Sequence, residues 1–193
     1  MGLQRGTFQA LLNDLPTVFP DNVAGQITPA VLRDYLSRFI QSAFLPDARL
    51  VRSTAGFAMP LTATFAAVPI ALYQTADFDA SGDVSADILT GRCLTNPTVP
   101  NLSYIPGAQI TGEGAINTQF DFSFGLNGAV PTIVLGSMTT QGAGRDVNIQ
   151  MSELFNSIPA NAFVELFARA PAGAATLTIS YARFQLVGWQ TWD

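Results

Sequence analysis

The chain has 193 residues, enough for one substantial domain and a small appendage, with 48% apolar and only 12% charged residues. That charged share is about half of what an ordinary soluble domain carries, so much of the surface is expected to be hidden in a core or against other subunits. A net charge of −5 with nine scattered basic residues, all arginine, excludes the basic stripe of a nucleic-acid binder.

Two helical patterns come first. Phe8, Leu11, Leu12 and Leu15 fall at i, i+3, i+4 and i+7, and Pro16 and Pro20 then break the pattern. The second, NVAGQITPAVLRDYLSRFIQS at residues 22–42, has Thr28 at the N-cap, Pro29 at the first helical position and Asp34 as early negative charge. Leu32, Tyr35, Leu36, Phe39 and Ile40 form its apolar stripe, extended by Ala43, with Arg33, Ser37, Arg38 and Gln41 opposite. Packing against the first helix or the neighbouring domain explains such a stripe. Docking on another subunit is the sharper alternative. Pro46 stops the helix, and the composition changes there, dividing the chain into a helical attachment module at 1–46 and a β domain at 47–193.

Beyond that boundary, short apolar runs alternate with turn signals: LTATF, VPIALY, AQITGEGAI, FDFSFGLNG, TIVLG, DVNIQM, AFVELFA and ATLTISYARFQLVGW. In TQFDFSF, Phe120, Phe122 and Phe124 share one face and Asp121 and Ser123 the other. In LTISYARFQLVGW the apolar face changes side near Ala182, which predicts an irregularity there. Asn127-Gly128 marks a hairpin turn. The uncharged run at 53–76 is long enough to span a membrane, but Pro60, Pro69 and its partial alternation favour sheet strands. The fold class is therefore mainly β, an antiparallel jelly roll or β-sandwich behind a short helical module.

Candidate chemistry is sparse. Without histidine the commonest general base and metal ligand is missing, and without lysine there is no Schiff base or P-loop lysine. The lone Cys93 reads as a buried free thiol. Glu113, Asp121, Glu153 and Glu165 offer carboxylate pairs on paper, as any chain with fourteen acids will. Asp77, Asp79, Ser81, Gly82 and Asp83 match the early positions of an EF-hand loop, but Ile88 stands where the bidentate glutamate belongs, so 77–87 reads as a polar surface loop. Asn101-Leu102-Ser103 is a formal glycosylation sequon without weight here, and GAGRD at 142–146 reads as a turn. No catalytic residue, cofactor or metal is expected. The first residues, MGLQRGTFQALLNDL, lack the unbroken apolar core of a signal peptide.

The stretch Asp21-Asn22-x-x-Gly25-x-Ile27-Thr28-Pro29-x-x-Leu32-Arg33-Asp34, behind a short amphipathic helix, resembles the N-terminal module of many tailed-bacteriophage virion proteins. The rest, through LTATFAAVPIALY, FDFSFGLNG, IPANAFVELFARA and ATLTISYARFQLVGW, resembles the tumour-necrosis-factor-like jelly roll of phage head fibres, decoration proteins and tail-fibre tips. One departure is Pro159-Ala160-Asn161, where such domains often read Gly-Asp. The resemblance implies a homotrimer, and fourteen phenylalanines with little charge suit a large core-like interface. It also implies a non-enzymatic structural protein, made in the host cytoplasm and placed on the capsid surface as a decoration or cement protein. Its partners would be itself and the major capsid protein or another virion protein, with no nucleic acid and no membrane. The alternative is a tail-fibre or receptor-binding tip that recognises a host glycan, with Trp189 and Trp192 as stacking candidates.

Overall fold

The computed structural model describes residues 47–78, 84–95, 102–155, 158–159 and 161–190. The helical module at 1–46, with Leu32, Tyr35, Leu36, Phe39 and Ile40, lies outside the described residues, as do Trp192, Asn101 and the centre of the 77–87 loop.

Among the described residues twelve strands follow one another: β1 (Asp47–Arg52), β2 (Phe57–Leu61), β3 (Ala66–Ala67), β4 (Thr75–Phe78), β5 (Val84–Asp87), β6 (Arg92–Thr95), β7 (Leu102–Glu113), β8 (Gln119–Leu126), β9 (Gly136–Thr139), β10 (Val147–Ser152), β11 (Phe163–Arg169) and β12 (Ala175–Gln190). A 3-10 turn, Ile70–Leu72, stands between β3 and β4. One sheet has the order β10-β7-β12-β1-β4, with β2 also on β12, and the other has β5-β6-β11-β8-β9, with β3 also on β11. Every pairing is antiparallel. From β9 to β12 successive strands switch sheets, which is jelly-roll order in a two-sheet sandwich.

The core lies where the inward faces meet. β8 contributes Phe120, Phe122 and Phe124, and β12 contributes Leu177, Ile179, Ala182, Phe184 and Leu186, all buried. The change of face in β12 is a bulge between Ile179 and Tyr181, so Ser180 is the inserted residue and the inward set resumes at Ala182. Phe124 and Phe184 stack across the two sheets at 5.9 Å between ring centroids.

Three expected strands take other forms. LTATF leaves β2 at Leu61; the Thr62 hydroxyl bonds locally to Thr64, and Thr62 O accepts Ala170 N–H at 2.7 Å outside the strand ladders. VPIALY folds into the 3-10 turn after Pro69, whose ring fixes its own φ and offers no N–H; Leu72 N–H bonds Pro69 O at 2.9 Å and Tyr73 N–H bonds Ile70 O at 3.1 Å. TIVLG pairs with nothing until Leu135 N–H reaches Phe122 O, and β9 begins at Gly136. The Asn127-Gly128 turn is present, with φ of 51° and 77°, but the strand it would feed is delayed by a loop. The 53–76 run is built of sheet and turn, and no described helix is long and apolar enough to cross a membrane.

That loop is anchored through Gly125. A Cβ there would stand 2.3 Å from the Phe167 ring and 2.5 Å from Ala129 O, so the close approach of loop to sheet requires a residue without a side chain.

Candidate binding face

The charged side chains of the second sheet are spent on holding it together. On its outer face Asp121, 2% exposed, accepts from Gln119 Nε2 and Ser137 Oγ at 2.7 Å each and from Arg169 Nε at 3.0 Å. Burial works to raise its pKa, but the hydrogen bonds from Ser137, Gln119 and Arg169 and the guanidinium charge outweigh it and hold the carboxyl below its usual value. Arg169 also lies over the Phe65 ring at 4.6 Å. Arg92 repeats the arrangement, with Nε 2.9 Å from Glu165 Oε1 and its guanidinium 3.9 Å over Phe163.

The four acids of the carboxylate-pair reading are therefore dispersed. Register sets Asp121 opposite Arg169 and Glu165 opposite Gly125, four residues along the strand, which is about 13 Å. Glu113 accepts the backbone N–H of Gly144, and Glu153, whose pKa burial raises, sits beyond β10. Among the described residues no three His, Cys, Asp or Glu side chains cluster as a metal site. Strands β4 and β5 take up both ends of the 77–87 segment, Asp77 and Phe78 in the first and Val84–Asp87 in the second, and Asp87 is committed to its own turn, accepting from Leu89 N–H at 2.9 Å and Thr90 Oγ1 at 2.8 Å. Gly142 and Gly144 adopt positive φ, as a turn at GAGRD requires.

Cys93 is fully buried, and burial pushes its thiol pKa well up. It should react with a thiol reagent only after unfolding: no modification of native protein within the time that denatured protein is fully labelled. Fast labelling of the native chain would contradict the burial.

The outer face of the first sheet differs. Register lines up Gln150, Gln109, Arg183 and Val51 in one row across β10, β7, β12 and β1, and Ser152, Gly107, Gln185 and Arg49 in the next. The residues between them along each strand, including Ala108, Met151, Phe184 and Leu50, point into the core. Gly107 leaves a gap in the second row, and between the two rows lies an open depression of ≈ 390 Å³ lined by Gly107, Gln109, Gln150, Ser152, Arg183 and Gln185 together with Ala108 and Met151. Arg183 Nε and Gln185 Oε1 are shielded from solvent yet have no hydrogen-bond partner. Arg49, one strand away, is already bound to Asp47 through Nε at 2.6 Å. Sequence reading missed this site. Each residue is an ordinary polar position in an alternating strand, and only three-strand register brings them together.

A second surface feature is apolar. Residues 129–135 carry no charge, and Val130, Ile133 and Val134 are 59%, 54% and 41% exposed. The loop is held at both ends, by Ala129 N–H on Leu126 O and Leu135 N–H on Phe122 O, each at 3.0 Å.

No family model matches the chain, and no curated protein matches it. Among solved structures, the "Structure of Eiger TNF from S. frugiperda" is similar at 10% sequence identity and a TM-score of 0.42, over 77% of this chain and 95% of that one.

Proposed function

We propose that this chain is a non-enzymatic structural protein of a tailed-phage virion, a decoration or cement protein that docks on the head shell and stabilises it, working as a homotrimer. The observation that carries this reading is the anchored, uncharged loop at 129–135, which offers Val130, Ile133 and Val134 to another protein. Repeated in every subunit over a shell, such weak contacts add up without any single strong site. The stripe of Leu32, Tyr35, Leu36, Phe39 and Ile40 supplies a further attachment face in this reading.

Cosedimentation with capsids stripped of the protein tests it. The wild-type chain should saturate at many copies per particle. A Val130→Ser/Ile133→Ser chain should fold normally and bind at least about tenfold more weakly, since burying each side chain is worth roughly 1.5–3 kcal/mol. Saturation at a few copies per particle would overturn the cement reading. A second reading, a tail-fibre tip that binds a host glycan, is favoured by the polar depression over Gly107. In that case the purified chain should bind intact host cells and leave emptied capsids alone.

A further inference from the structure

We propose that the depression over Gly107 is a binding site for an acidic sugar, a hydroxyl-rich ring that carries a carboxylate. The inference deepens the glycan-binding reading above but needs only the face itself, wherever the chain sits in a particle. Four observations define the ligand. The hollow, at ≈ 390 Å³, lies in the range of small-ligand sites. Its rim is planar and polar: Gln109, Gln150 and Gln185 each present both a donor and an acceptor, and Ser152 adds a hydroxyl. That mixture matches sugar hydroxyls, which also donate and accept. Third, Gln185 Oε1 and Arg183 Nε have no hydrogen-bond partner within the chain, so a small rotation of either side chain brings an unused acceptor or donor to an occupant of the hollow.

The fourth observation is charge. Arg183 forms no ion pair with any described residue, and neither row of the hollow contains an acid. A guanidinium fork pairs best with a carboxylate in a two-bond arrangement. A neutral sugar would leave that fork unused, and a bare small anion would leave the three amides unserved. A nucleic acid needs several cations along its track, and the hollow holds one. Gly107 is what makes the room: a Cβ at that position would lie 3.3 Å from Gln185 Nε2 and take up the floor.

The test is an NMR titration of the full chain that follows backbone and glutamine side-chain amides. The probes are sodium D-glucuronate and sodium D-galacturonate, with D-glucose and sodium acetate as controls. Saturable shifts confined to Gln109, Gln150, Gln185 and their row neighbours are expected with a uronate, and binding at least about tenfold weaker with glucose and with acetate. Arg183→Leu should reduce uronate binding to the level of glucose. Gly107→Val should abolish binding by filling the floor, while an unchanged spectrum elsewhere reports an intact sheet. Should Arg183→Leu fail to fold, Arg183→Gln gives the same comparison. Equal affinity for glucose and uronate, or an Arg183 variant that binds as well as wild type, overturns the proposal. So does the absence of saturable shifts at millimolar uronate, including the case in which a second copy of the chain covers the face. A chain that binds host cells yet gives no uronate shift here would keep the glycan-binding reading and lose this site.

Discussion

Replacing Asp121 with alanine should remove about 3–5 kcal/mol of folding stability, the range found when one partner of a buried ion pair is deleted. Asp121 is 2% exposed and gathers three donors from three strands: Gln119 on its own β8, Ser137 on β9 and Arg169 on β11. Deletion leaves the Arg169 guanidinium against Phe65 with its carboxylate gone, and Ser137 without its acceptor. Because the Arg169 side chain is 31% exposed, water recovers part of its solvation, which places the loss toward the lower end of that range. The same carboxylate gives the fold an acid limb. Its folded pKa is depressed relative to the unfolded chain. Its contribution is therefore complete above the unfolded value, about 3.9, and disappears as pH falls through the lower folded value. Urea unfolding at neutral pH and at a series of acid pH values should show wild-type stability falling below about pH 4. Asp121→Asn, which keeps an acceptor but cannot titrate, should lose less than alanine and show a shallower acid limb. Parallel acid limbs in the two proteins would show that Asp121 does not govern this range.

The physical reasons for what could be read from the sequence differ from element to element. Period-two alternation in β8 put Phe120, Phe122 and Phe124 on one face, because a strand's side-chain direction is a local property. The break in β12 was legible for the same reason, and the structure places it at Ser180. LTATF and VPIALY misled because their apolar composition suits a strand, while hydroxyl-to-backbone bonding at Thr62 and the 3-10 turn after Pro69 decide the backbone. TIVLG misled in another way. Its residues would suit a buried strand, but the anchors at Leu126 and Phe122 hold it outside the ladder, and Ile133 and Val134 face solvent. DARLVR, VSAD and RCLT were not recognised as strands. They are short and half polar, and they gain their regularity only by pairing with β12, β4, β11 and each other. The depression over Gly107 was beyond reach for a related reason. Gln150, Gln109 and Arg183 are distant in sequence, and their row exists only through the pairings of β7 with β10 and β12.

The largest single loss from the core should come from Phe184→Ala, about 3–5 kcal/mol. Phe184 is fully buried in β12, the strand that pairs with β7, β1 and β2, and it stacks on Phe124 of the opposite sheet. Deleting the ring removes buried apolar area and leaves a cavity between two sheets whose backbones are fixed by ladders on both sides. The walls are therefore poorly able to collapse, which favours the upper part of the range. Phe124→Ala should cost less, because Phe124 keeps 4% exposure and its strand lies nearer the edge of its sheet, beside β9. The double variant should lose less than the sum of the two singles, since both delete one shared ring–ring contact. Thermal unfolding supplies the measurement: each kcal/mol shifts Tm by about 2–4 °C in a chain of this length. Strict additivity would mean that the 5.9 Å stack contributes no coupling between the sheets. A Phe184→Ala loss under about 1 kcal/mol would mean that the centre of the sandwich repacks around the missing ring.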